Sequence, residues 1–182
     1  MMIAAAVLFC IACQTPTQVN KTAPKSPERP AASTKLDTKW SLRVGEWSGE
    51  GGGKPGTGGG TCSFKFDLDQ QVLVRRNHSE YPAAAGRPAT VHDDLMMIYP
   101  GTESERPRAI YFDNEGHVIE YSAAGDVVTF VSKPAQSSPQ FRLVYKKLDA
   151  QTLTIAFEMA PPGQPGAFKP YLSGRLQRKG GA

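Results

Sequence analysis

Across residues 62–178 the chain is a succession of short runs in which apolar residues fall at every second position, and no amphipathic helix of useful length interrupts them. Successive side chains of a β-strand point to opposite faces, so runs of this kind suit strands with one buried face. Turn-forming residues break the runs at short, regular intervals, at Asp69-Gln70, Asn114-Glu115, Ala124-Gly125 and Asp149-Ala150-Gln151. Counting the runs predicts about nine or ten antiparallel strands in meander order. Closing such a sheet removes its edges and leaves a ligand-sized interior. The predicted fold is therefore all-β, an up-and-down antiparallel barrel over residues 38–179. Ahead of it, Leu36, Trp40 and Val44 stand at helical spacing and predict one or two helical turns.

The most informative hairpin spans residues 71–100, two apolar strands whose facing ends turn polar around a loop with Gly86 and Pro88. Closed symmetrically about Gly86, it sets His78 opposite Asp94, Arg76 opposite Met96 and Val74 opposite Ile98. Val72, Val74, Arg76 and His78 then share a face with Asp94, Met96 and Ile98. Pairing around Asn114-Glu115 puts Ile110 and Phe112 on one face with His117, Ile119 and Tyr121, and turns Tyr111 away. Val128 and Phe130 continue that face, followed by Phe141, Leu143 and Tyr145, then by Leu153, Ile155, Phe157 and Met159. Glu120 and Glu158 fall outside.

The candidate binding set is accordingly Arg76, His78 and Asp94 at a polar end, above a wall of Val72, Val74, Met96, Ile98, Ile110, Phe112, Ile119, Tyr121, Phe130, Leu143 and Phe157. A guanidinium at Arg76 suits a carboxylate through a bidentate fork. A carboxylate at Asp94 would orient the His78 imidazole and raise its pKa. The same groups also read as a polar network that only fixes the hairpin rim.

Other chemistry is weakly supported. The loop GGGKPGTGGG lacks both the GK[ST] ending and the following helix of a phosphate cradle. His92 beside Asp93 and Asp94 has no third ligand at metal-binding spacing, and Cys62 reads as a small buried hydrophobe. No Ser-His-Asp or Cys-His arrangement and no paired acids emerge, so no catalytic residue, metal or cofactor is assigned. The net charge of +4 is diffuse, with no basic stripe interleaved with aromatics, which argues against a nucleic-acid partner.

The first thirteen residues, MMIAAAVLFCIAC, read as the apolar region of a signal peptide. Ile11-Ala12-Cys13 resembles the end of a bacterial lipobox, which implies lipidation of Cys13 and a membrane anchor; an ordinary signal peptide is the alternative. Residues 14–37, rich in Pro, Thr, Lys, Ala and Ser, read as a disordered tether. The expected location is the periplasmic side of a bacterial membrane, and Gln14 after the cysteine points to the outer one.

The stretch Gly45-Glu46-Trp47-Ser48-Gly49-Glu50-Gly51 resembles the Gly-x-Trp signature of the lipocalin and fatty-acid-binding (calycin) superfamily. Its form, with Gly45, Trp47, Gly49 and Gly51, is similar to nitrobindin-like barrels and to bacterial lipocalin-like domains of unknown function. The resemblance implies that Trp47 closes the barrel base and stacks with an arginine of the last strand, Arg175 or Arg178, of which Arg175 is taken as the motif partner. It implies a small apolar or amphipathic ligand inside. Nitrobindin-like proteins bind haem through a histidine near the C-terminus; KPYLSGRLQRK has none, so haem would fall to His78, His92 or His117. Three functions follow as expectations: an exported ligand binder, a haem barrel or barrel enzyme using His78, or an envelope protein with a filled barrel.

Overall fold

A computed structural model describes residues 35–36, 38–101, 106–124 and 129–180. The expected signal peptide, Cys13, most of the tether and Val128 lie outside them. Among the described residues ten strands follow a short 3-10 helix, Thr38–Arg43. They are β1 (Gly45–Gly53), β2 (Gly58–Asp67), β3 (Val72–Tyr81), β4 (Thr90–Tyr99) and β5 (Arg108–Asp113). β6 (Val118–Ala123), β7 (Thr129–Ser132), β8 (Gln140–Lys147), β9 (Thr152–Ala160) and β10 (Lys169–Arg178) complete the set. Each strand pairs antiparallel with its sequence neighbours, and β10 returns to β1, closing the barrel.

Alternation places the core. Leu73, Met96, Ile98, Phe130, Leu143 and Leu153 come from alternate positions of their strands and are buried inside. The end where β1 begins is packed with rings. Trp40, from the 3-10 helix, lies 5.6 Å from Phe130, and Phe64 meets the edge of Tyr145 at the same distance. Trp47 is fully buried; its Nε1 donates to the Arg43 carbonyl at 2.9 Å, and Arg178 lies over its ring at 4.2 Å. Arg178 also donates to the Val44 carbonyl at 2.7 Å. Trp47 and Arg178 are direct partners across the β1–β10 seam, whereas Arg175 pairs with Glu50 on the outer face. The expected partner Arg175 is thus replaced by Arg178, because position 175 has the wrong parity to reach the interior.

Two glycines of the motif have a steric reason. Gly45 sits at φ +131, where a Cβ would also fall 2.5 Å from Arg178 Nη1, and a Cβ at Gly51 would fall 2.5 Å from the Ser173 carbonyl oxygen.

Two hairpins differ from the expected register by one residue. The loop between β3 and β4 ends in a bridge from Ala84 to Arg87 around Ala85-Gly86, with Gly86 at φ +76. Its symmetry centre therefore falls between two residues instead of on Gly86. Arg75, not Arg76, pairs with Met96; Asn77, not His78, pairs with Asp94; Leu73, not Val74, pairs with Ile98. Between β5 and β6 the Asp113 N–H donates to the His117 carbonyl at 3.3 Å around Asn114-Glu115-Gly116, with Gly116 at φ +91, where a two-residue turn was expected. Tyr111 then pairs with Ile119 and faces inward, while Ile110 and Phe112 face outward, Phe112 38% exposed.

Candidate functional site

Above the ring-packed end the barrel encloses a cavity of about 840 Å³. One side is apolar. Leu143, Ile155, Phe157, Leu172 and Leu176 line it from β8–β10, with Phe141 stacked on Phe157 at 5.7 Å. Ile119 and Tyr121 extend this surface from β6. The opposite side is polar, built by the inner positions of β3, β4 and β5: Arg75, Asn77, His92, Asp94, Tyr111 and Asp113.

At its floor Arg75 Nη2 donates to Asp94 Oδ2 at 2.8 Å, both side chains at most 4% exposed. Burial alone would lower the arginine pKa; the Asp94 carboxylate outweighs it and holds that pKa well above the usual value. The guanidinium also lies over the Tyr145 ring at 5.8 Å. Arg75 Nε, Asp94 Oδ1 and the Tyr145 hydroxyl are buried without a hydrogen-bond partner among the described residues. Burial pushes the Cys62 thiol and the Tyr145 hydroxyl upward, so neither ionises readily.

Toward the open end, His92 Nε2 meets the Tyr111 hydroxyl at 3.0 Å and Asp94 Oδ2 at 3.6 Å, and its Nδ1 meets Glu115 at 3.1 Å. Tyr111 donates to Asp113 at 3.2 Å. Asp113 also accepts from the backbone N–H of Glu115 and of His117, and its Oδ2 lies 2.9 Å from His117 Nδ1. Burial opposes ionisation of Asp113, but the His117 bonds prevail and lower its pKa.

The Asp94 carboxylate 3.6 Å away, against burial and helped by Glu115, raises His92 to about 9. The sign follows directly: a folded-state pKa above the ordinary imidazole value of about 6.5 stabilises the fold fully below that pH, and the contribution is lost as pH rises through about 9. Melting temperature should therefore fall between neutral pH and mildly alkaline pH, and His92→Gln should flatten that slope. NMR titration of the imidazole checks it; a His92 midpoint at or below the ordinary value would refute the assignment.

Of the expected binding set, Asp94, Met96, Ile98, Ile119, Tyr121, Phe130, Leu143 and Phe157 occupy inner positions. Val72, Val74, Arg76, His78, Ile110 and Phe112 do not. His78 lies outside, 2.7 Å from Asp93 and 3.0 Å from Glu80, whose hydrogen bonds raise its pKa, Glu80 first. With Arg76, Phe112 and Lys179 it borders a shallow outer depression. On the polar side Arg75, Asn77, His92, Tyr111 and Asp113 are the inner residues left out of that set. Their signal was strand parity, readable only once both turn lengths are known. Among the described residues no group of three or more His, Cys, Asp and Glu is disposed to hold a metal.

Fold and cavity together define a closed ten-stranded antiparallel barrel with a two-sided interior open at one end. No family model and no curated protein matches the chain. Among solved structures it is similar to the S-type phycobiliprotein lyase CPES from Guillardia theta, at 10% identity and TM-score 0.45 over 82% of this chain and 95% of that one. It is similar to a de novo designed fluorescence-activating β-barrel, at 10% identity and TM-score 0.43 over 79% of this chain and all of the design. The redesigned barrel mFAP0 bound to DFHBI aligns at 11% identity and TM-score 0.41, covering 75% of this chain and 99% of that one.

Proposed function

We propose that the protein is an exported, calycin-like binder that holds one small amphipathic molecule inside its barrel. The observation that carries this is the cavity of about 840 Å³, apolar along β8–β10 and polar along β3–β5. That volume lies within the usual range of ligand sites, roughly 300–1,000 Å³, and the division into an apolar bed with a few convergent polar groups is what orients a ligand. The cavity weighs against a barrel filled by its own side chains. Haem ligation has less support: both ring nitrogens of His92 are engaged, His78 stands outside, and His117, at the cavity's rim, is 59% exposed with its Nδ1 on Asp113. Lipidation of Cys13, with an outer-membrane address, belongs to the same proposal and rests on the lipobox-like sequence.

One experiment reads both parts. Protein extracted from its source membranes in mild detergent is weighed intact, first under native and then under denaturing conditions. A non-covalent adduct lost on denaturation supports the binder, and a diacylglyceryl-type mass on a chain beginning at Cys13 supports the anchor. Empty protein that also takes up no small apolar or amphipathic compound would refute the first, and soluble protein with unmodified Cys13 the second.

A further inference from the structure

The charged groups on the polar side of the cavity are engaged with one another. Arg75 holds Asp94 at 2.8 Å, both side chains at most 4% exposed. His92 lies 3.6 Å from Asp94 and 3.1 Å from Glu115. Asp113 takes two backbone N–H groups, the Tyr111 hydroxyl and His117. An anionic head group entering here would meet Asp94, Asp113 and Glu115, and a cationic one Arg75 and His92. Either would leave its hydration shell for a counter-charge already taken, and a charge withdrawn from water without a partner of its own is costly. The wall works against both signs.

Asn77 differs. It is the inner residue of β3 next above Arg75 toward the open end, half-buried and lining the cavity. Its carboxamide makes one hydrogen bond among the described residues, from Nδ2 to Ser79 Oγ at 3.0 Å. That leaves Oδ1 as an acceptor and the second N–H of Nδ2 as a donor, side by side. Unlike Asp94 Oδ1, this Oδ1 is not sealed from solvent. β3 and β8 stand halfway round the closed ring from each other, so Phe141 and Leu143 lie across the interior from Asn77. Resting on the reading of the barrel as a ligand binder, we propose that the cavity selects an uncharged amphipathic molecule whose head group both donates and accepts, a carboxamide or a hydroxyl, and that Asn77 receives it. Asn77 Oδ1 accepts from the ligand's N–H or O–H, Nδ2 donates to its oxygen, and the apolar body lies along Phe141, Leu143 and Phe157.

Calorimetric titration of the whole protein at about pH 7 with octanamide, octanoate and octylamine compares three head groups on one chain length. At that pH the amine is a cation, the carboxylate an anion and the amide neutral. N-phenyl-1-naphthylamine, a neutral apolar fluorophore, serves as the probe of the cavity itself. Octanamide is expected to bind at least about tenfold more tightly than either ion. Asn77→Leu, close in size and verified as folded, should weaken octanamide about tenfold and the naphthylamine by less than about threefold, since only the amide loses hydrogen bonds. If the variant does not fold, the ranking on the unaltered protein decides. Three results overturn the inference and leave the binder intact: octanamide failing to outrank either ion while the naphthylamine binds, a folded Asn77→Leu that keeps its octanamide affinity, or equal weakening of both neutral compounds. Failure of all four compounds to bind overturns the inference together with the reading it rests on.

Discussion

Asp94→Leu is expected to lower the stability of the fold by about 3–5 kcal/mol, the cost of removing one partner of a buried ion pair. The change leaves the Arg75 guanidinium with no carboxylate at 2.8 Å, in a side chain 4% exposed and unable to shed its proton. It also withdraws the first cause of the raised His92 pKa, so the alkaline slope of stability should shrink with it. The double change Arg75→Met with Asp94→Leu should regain most of the loss, because paired replacement by apolar groups is often neutral or stabilising. Urea unfolding of the three proteins, compared at matched slope, checks this. A single-variant loss below about 1 kcal/mol would mean the pair is far less desolvated than its geometry implies.

Trp47→Ala should be comparably severe, about 3–5 kcal/mol, as for other large aromatic truncations in a packed core. The indole is fully buried, and three things depend on it: the fill of the barrel end, the hydrogen bond to the Arg43 carbonyl and the surface under Arg178. Trp47→Phe keeps most of the volume and gives up the Nε1 donor, so its loss should be clearly smaller. Trp40 remains as the fluorescent reporter of unfolding in both variants. Equal losses for Ala and Phe would assign the effect to the hydrogen bond and not to packing.

Much of the architecture was legible from alternation alone. The strands, their meander order and the inner faces of β8 and β9 follow from residues such as Phe141, Phe157 and Met159, whose outer neighbours are polar or small. β3 misled because both its faces begin apolar: Val72 and Val74 look as suited to a core as Leu73 does. The deciding residue then works against intuition, since Arg75 is the inner one and Arg76 the exposed one. A charge inside a barrel is tolerable only with its partner, and that partner lies 19 positions along the chain. Whether residues 75 and 94 share a face is decided by the parity of the Ala85-Gly86 turn. The same arithmetic hid Tyr111 and promoted Phe112, through one extra loop residue before Val118. Composition and hydrophobicity carry no information about that single residue.

The seam between β1 and β10 also has a consequence for the birth of the chain. Every other adjacent pair of strands is joined by a local connection, but Trp47 waits for Arg178, near the far end of the chain. A polypeptide emerging from its N-terminus therefore holds a growing open sheet until β10 is complete. During that interval β1 and the latest strand are bare edges, each offering unpaired N–H and C=O groups to any other copy nearby. β1 is poorly guarded, because Gly45, Gly49, Gly51, Gly52 and Gly53 leave it few side chains with which to repel a neighbour. The glycines that let the finished barrel close so tightly are thus the ones that leave the unfinished barrel most open to joining another.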